Sequence, residues 1–67
     1  MTTIILKTSK NGLLQLFKEI DYHSIVYQID VFVKRGDKIA LRNSVRYNDY
    51  LPALLAYENS PEVYQNF

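Results

Sequence analysis

The chain has 67 residues, and its eight Lys and Arg side chains against seven Asp and Glu leave a net charge of only +1. This length allows one domain, residues 1–67, and a domain so small buries only about 60% of its unfolded surface, so we expect support from a partner or from self-association. The absence of Cys excludes a disulfide framework, a Cys-ligated zinc site and a thiol nucleophile.

No targeting or membrane segment is predicted. The apolar stretch from Ile4 to Leu6 is too short for the hydrophobic region of a signal peptide, and no run approaches the length of a membrane span. We therefore expect a cytoplasmic protein.

The N-terminal part predicts a strand followed by a helix. Residues 2–8 are rich in β-formers, and the breaker segment 9–12 follows them. Apolar residues then recur at helical spacing over residues 13–20, and Ser9 or Asn11 is placed to cap the start of a helix. The apolar positions of this first predicted helix are Leu13, Leu16, Phe17 and Ile20.

Residues 24–47 predict one long β-hairpin, because apolar residues alternate along both halves. The turn is expected to be a three-residue loop of Arg35, Gly36 and Asp37, with Lys34 opposite Lys38 and with positive φ available to Gly36 and Asp37. On the face away from the core, this register sets Asp30 opposite Arg42, Gln28 opposite Ser44, Val26 opposite Arg46 and Phe32 opposite Ala40.

A second helix is predicted after the hairpin. Asn48 or Asp49 can cap it, Pro52 is tolerated in its first turn, and Asn59 can end it. Its expected apolar stripe consists of Leu51, Leu54 and Leu55. For residues 60–67 the sequence leaves two alternatives, a short extra helical turn after Pro61 or a frayed tail.

The predicted fold class is α+β, in the order β-α-β-β-α, with a three-stranded antiparallel-rich sheet and two helices packed on one face. By analogy of architecture alone, this is a ferredoxin-like arrangement without its last strand. The predicted core is a set of 17 apolar residues: Ile4, Leu6, Leu13, Leu16, Phe17, Ile20, Ile25, Tyr27, Ile29, Val31, Val33, Ile39, Leu41, Val45, Leu51, Leu54 and Leu55.

The sequence does not predict an enzyme. His23 is the single histidine, no paired metal-ligand spacing occurs, and Gly12 and Gly36 are too far apart to form a phosphate-binding loop. Ser24 follows His23 directly, but adjacent strand residues point in opposite directions and cannot form a nucleophile–base pair. We predict no catalytic residue, metal, cofactor or small-molecule substrate.

The leading hypothesis is a non-catalytic module that binds a partner protein, or a second copy of itself, and so inhibits or regulates its target. It depends on the mixed outer face of the hairpin, where exposed apolar groups beside arginines are typical of a contact surface. The predicted protein-binding residues are Val26, Asp30, Phe32, Lys34, Arg35, Arg42 and Arg46. A composition rich in Ile, Asn, Tyr and Lys suits a small phage or mobile-element protein acting in the host cytoplasm.

The alternative hypothesis is nucleic-acid binding by the same hairpin. Residues 34–46 hold five basic residues against Asp37, which gives five minus one, or +4, and a β-ribbon can enter a major groove. Against it, residues 47–67 hold acidic residues and no basic ones, and the whole chain is nearly neutral. The predicted nucleic-acid-binding residues are Lys34, Arg35, Lys38, Arg42 and Arg46.

Overall fold

The structure, a computed structural model, describes residues 1–60 as one four-stranded antiparallel sheet followed by a helix. The strands are β1 (Thr2–Thr8), β2 (Leu14–Ile20), β3 (Ile25–Arg35) and β4 (Lys38–Tyr47), and the helix is α1 (Tyr50–Glu58). Each strand pairs with the next one along the chain, so the order across the sheet is β1-β2-β3-β4.

The predicted β-α-β-β-α fold is therefore wrong. Residues 13–20 form no helix, because Leu14–Ile20 is a central strand. The described part of the chain thus has four strands and one helix, and the ferredoxin-like analogy fails as well. The eight residues also fit a strand, because Leu14, Leu16 and Ile20 alternate on one face. Eight residues are too few to distinguish the helical period of about 3.6 residues from the strand period of about 2.

The breaker segment explains why the chain turns back at this point. The Asn11 side-chain oxygen accepts a hydrogen bond from the Leu13 amide at 2.9 Å, and the Ser9 hydroxyl accepts one from the Leu14 amide at 3.0 Å. Gly12 takes a positive φ of 78°, which glycine adopts without a Cβ clash. The residues expected to cap a helix therefore close a β1–β2 hairpin.

The β3–β4 hairpin is confirmed, but its predicted register is wrong. Arg35 pairs with Lys38, which leaves Gly36 and Asp37 as a two-residue turn in which Gly36 alone has positive φ, at 62°. A glycine at the first of two turn positions matches the type II′ turn, whose twist suits a hairpin. A register shift between Val31 and Phe32 then makes Arg42 an extra residue on β4, so the two halves of the hairpin have different registers.

The second predicted helix is confirmed, with Asp49 as its N-cap residue and Asn59 as its C-cap residue. Its buried side differs from the expected stripe, because Ala53 and Tyr57 are buried whereas Leu51 and Leu55 remain exposed. The predicted turn after Pro61 lies outside the described residues.

The core lies between α1 and one face of the sheet. Its buried members are Leu14, Leu16, Ile29, Ala53 and Tyr57, and five partly buried residues pack against them: Tyr27, Val31, Tyr47, Leu54 and Ala56. Of the 17 residues predicted for the core, Leu16, Phe17 and Ile29 are buried. Eight others are exposed, namely Ile4, Leu6, Ile25, Ile39, Leu41, Val45, Leu51 and Leu55.

Candidate functional site

The face of the sheet opposite α1, here called the outer face, carries most of the residues predicted to bind a partner. Leu14, Leu16 and Ile29 contact the helix, so alternation along the strands directs the side chains between them to the outer face. Val26, Asp30, Phe32, Lys34 and Arg46 belong to it.

The centre of the outer face is polar and internally bonded. Asp30 lies opposite Ser44, not Arg42, and one oxygen of its carboxylate accepts hydrogen bonds from the Ser44 hydroxyl and the Gln28 amide, both at 2.8 Å. Arg46 lies opposite Gln28 and reaches Glu19 on β2 at 3.3 Å. These contacts hold the polar side chains of the outer face against one another across β2, β3 and β4.

The end of the β3–β4 hairpin, residues 32–41, forms what we call the arm. The pairing of β2 with β3 ends where Leu14 lies opposite Val31. Beyond that pair, the strands that the structure describes are β3 and β4 alone, and they form the arm. Two strands alone are marginally stable in water, and the arm adds no buried residue to the core.

The outer side of the arm is apolar with one cation. Phe32 pairs with Leu41, and Lys34 pairs with Ile39. Ile39 is 63% exposed and Leu41 is 56% exposed. The predicted register had placed both residues in the core, and the Gly36-Asp37 pair was the sequence signal that could have corrected it, because Gly-Asp is typical of a two-residue turn.

The five basic residues of the hairpin do not share one face. Lys34 and Arg46 lie on the outer face, whereas Arg35 and Lys38 pair with each other on the opposite side of the arm. Arg42, at the bulge, lines a groove between β4 and α1 and so does not join the outer face as predicted. This distribution spreads the positive charge around the hairpin.

That groove is about 330 Å³ in volume and has an apolar floor with polar groups at its rim. Ile29, Val31 and Val45 are among its lining residues, together with Arg42 and Ser60.

Among residues 1–60, two side chains have clearly shifted pKa values, and both lie at the junction of β1, α1 and the core. The hydrogen bond from Lys7 to Glu58, at 2.9 Å, together with the charge of that carboxylate raises the pKa of Lys7. Burial raises the pKa of Tyr57. Neither group lies near a cluster of metal-ligating residues, and residues 1–60 contain no group of three or more His, Cys, Asp or Glu that could hold a metal ion.

Comparisons with known proteins supply no homologue from which to infer a function. No family model, no curated protein and no solved structure matches the chain. Within residues 1–60, no helix is long and apolar enough to cross a membrane. The cytoplasmic location stays a prediction, and the function has to be argued from the residues.

Proposed function

We propose that this chain is a non-catalytic module that binds a partner protein through the outer side of the arm, and that it inhibits or regulates that partner. The observation that carries the proposal is the exposure of Ile39 and Leu41, at 63% and 56%, on a part of the sheet that adds no buried residue to the core. Apolar side chains that do not stabilise the core are well placed to stabilise a complex.

The arrangement of the arm matches the usual anatomy of a protein interface. Phe32, Ile39 and Leu41 provide an apolar centre, and Lys34 lies directly beside it. Aromatic and aliphatic groups that are fully desolvated in a complex supply most of its binding free energy, and charges at the rim contribute chiefly to orientation and association rate.

The charge of the arm indicates the chemistry of the partner. Lys34, Arg35 and Lys38 against Asp37 give residues 32–41 a net charge of three minus one, or +2. A complementary surface is an apolar patch bordered by Asp and Glu. Such a partner would be attracted to the arm at long range and held by the apolar contact.

Nucleic-acid binding is supported less well. A nucleic-acid surface needs cations aligned along one face to follow the phosphate backbone. Here Lys34 and Arg46 lie on one side of the sheet and Arg35 and Lys38 on the other, while Arg46 is already paired with Glu19. The most exposed apolar residues of the arm would gain nothing from contact with phosphates.

The test compares two double variants of the arm. The apolar variant carries Ile39→Ser and Leu41→Ser, and the charge variant carries Arg35→Ala and Lys38→Ala. Wild type and both variants are measured for retention on immobilised DNA and RNA across a salt series. They are also measured for the Kd of a purified partner, first captured with wild-type protein by cross-linking, and their thermal unfolding is recorded to show that the fold is retained.

We expect the apolar variant to raise the Kd for the protein partner at least tenfold, and the charge variant to raise it less and mainly through slower association. Tight retention on nucleic acid that falls steeply with salt and disappears in the charge variant would overturn the proposal in favour of the nucleic-acid hypothesis. Unchanged partner binding by the apolar variant would also overturn it.

A further inference from the structure

The two edge strands of the sheet, β1 and β4, differ sharply in charge. β4 carries Lys38, Arg42 and Arg46 at every fourth position. Antiparallel pairing of two β4 strands about Arg42 would set Arg42 opposite Arg42 of the partner subunit, and like charges directly opposite one another destabilise a sheet. The β4 edge is therefore protected against pairing with a second copy.

The β1 edge has no comparable protection. Lys7 is its one charged residue, and Lys7 is bonded to Glu58 at 2.9 Å. Ile5 is 60% exposed, and its neighbours Ile4 and Leu6 are 42% and 37% exposed. Each of the two edge strands contains a bulge, so the two edges differ in their charge and not in the presence of a bulge. An edge of this kind, apolar at its centre and with its one charge already paired, is a template for strand pairing.

The helix adds exposed apolar surface on the same side of the molecule. Leu51, Leu55 and Glu58 follow one another at spacings of four and three residues, so they share one flank of α1. Glu58 contacts Lys7 of β1, which shows that this flank faces the β1 side of the sheet. Leu51 is 66% exposed and Leu55 is 60% exposed, so neither is accounted for by packing within the chain.

We propose that two copies of this chain form a homodimer in which their β1 strands pair antiparallel into a continuous eight-stranded sheet. A twofold axis at Ile5 pairs the middle of the strand, since a bulge between Ile5 and Lys7 changes the register there. It sets Ile5 opposite Ile5 of the partner subunit and Ile4 opposite Leu6 of the partner subunit. Lys7, the one charged residue of the strand, lies beyond the bulge, so no like charges are in contact. The Leu51 and Leu55 flanks of the two helices then face each other across the seam.

The size of this contact fits a specific but modest dimer. The strand pairing about Ile5 and five exposed apolar side chains from each copy give an interface on the order of 1,000 Å², the lower limit for a specific complex. The seam lies at the opposite edge of the sheet from β4 and the arm. Dimerisation is thus independent of the proposed function, and it would give each assembly two arms.

The test is the mass of the full chain by sedimentation equilibrium from about 1 to 500 µM, with the variants Ile5→Lys and Ile5→Glu. Placing Ile5 opposite Ile5 of the partner subunit makes each variant repel itself and attract the other. We expect wild type to approach twice the 7.9 kDa chain mass. Each variant alone should raise the dissociation constant more than tenfold, and an equimolar mixture of the two should recover the dimer.

The matched control is Leu41→Lys, at a position of similar exposure on the far edge strand, which should leave the dimer intact. Recovery in the mixture also shows that the variants fold. A wild-type mass of 7.9 kDa at every concentration would overturn the proposal. So would loss of the dimer in Leu41→Lys, or a mixture that stays monomeric. A failure of partner binding through the arm would not affect these outcomes.

Discussion

Tyr57 is the aromatic residue that joins α1 to the sheet. It is buried in the core cluster with Leu14, Leu16 and Ile29, and burial raises the pKa of its hydroxyl because the phenolate would lose solvation there. The Lys7–Glu58 ion pair lies beside it, and the pKa of Lys7 is also raised. Both shifts act on stability in the same pH range.

We predict that the protein loses stability at alkaline pH. A raised folded-state pKa contributes stability that is complete below the unfolded-state value, 10.0 for Tyr57 and 10.5 for Lys7, and is lost as pH rises through the folded-state value. The free energy of unfolding, from urea titrations between pH 8 and 11.5, should therefore fall above pH 10. The free energy of unfolding of Tyr57→Phe should fall less steeply with pH than that of wild type, because the variant has no buried hydroxyl to ionise.

Tyr22→Phe is the control, because Tyr22 is 93% exposed and lies in the turn between β2 and β3. This variant should follow the wild-type pH dependence. Identical slopes for Tyr57→Phe and wild type would contradict the assignment of the alkaline loss to the buried tyrosine.

Among single residues, the sequence predicted some buried side chains and missed others, depending on whether the predicted secondary structure was correct. Leu16 lies on the apolar side of residues 13–20 in both a helix and a strand, so it was predicted to be buried in either case, and Ile29 lies in a strand that the sequence predicted correctly. Leu14 is buried only in the strand and was missed. Phe17 is buried on the outer face between its cross-strand neighbours Ile5 and Gln28, on the side of the sheet away from α1.

Among the elements, the turn between β1 and β2 decides the fold. The Ser9 hydroxyl accepts from the Leu14 amide and donates to Asn11 at 3.0 Å, and Ser9 is buried. In the hairpin, the Ser9 and Asn11 side chains accept hydrogen bonds from amides within a tight turn. At the start of a helix, the same side chains would accept hydrogen bonds from the first amides of that helix. Local chemistry alone does not separate the two outcomes.

We predict that Ser9→Ala lowers the free energy of unfolding by about 1–2 kcal/mol, because the buried Leu14 amide loses its side-chain acceptor. The measurement is urea denaturation at neutral pH. Thr8→Ala, at the neighbouring exposed position, should change the free energy by less than about 0.5 kcal/mol. Equal effects of the two substitutions would show that the Ser9 hydroxyl does not stabilise the turn.

The β3–β4 hairpin was predictable because both of its strands alternate over many residues. The register of the arm could have been predicted from the Gly36-Asp37 turn, but the bulge at Arg42 inserts a residue that no period-2 pattern indicates. The bulge moved Arg42 away from the outer face, and the two-residue turn brought Ile39 and Leu41 onto it. The sequence therefore predicted the hairpin that carries the candidate site, but not which of its residues share the outer face.

For the whole molecule, the described chain is a small sheet that one short helix covers on one side. A core of this size supports only marginal stability, on the order of 3–10 kcal/mol for a chain of this length. Two sets of its exposed apolar groups lie at separate places, one on the arm and one on the β1 edge with its helix flank. We assign the first to a partner protein and the second to a second copy of the chain.

Hydrogen exchange in the presence and absence of the purified partner tests the central proposal most directly. We predict that binding slows amide exchange over residues 32–41, with little change in the β1–β2 hairpin. Protection confined to the groove beside α1 or to β1, with unchanged exchange over residues 32–41, would contradict the assignment of the arm as the contact surface.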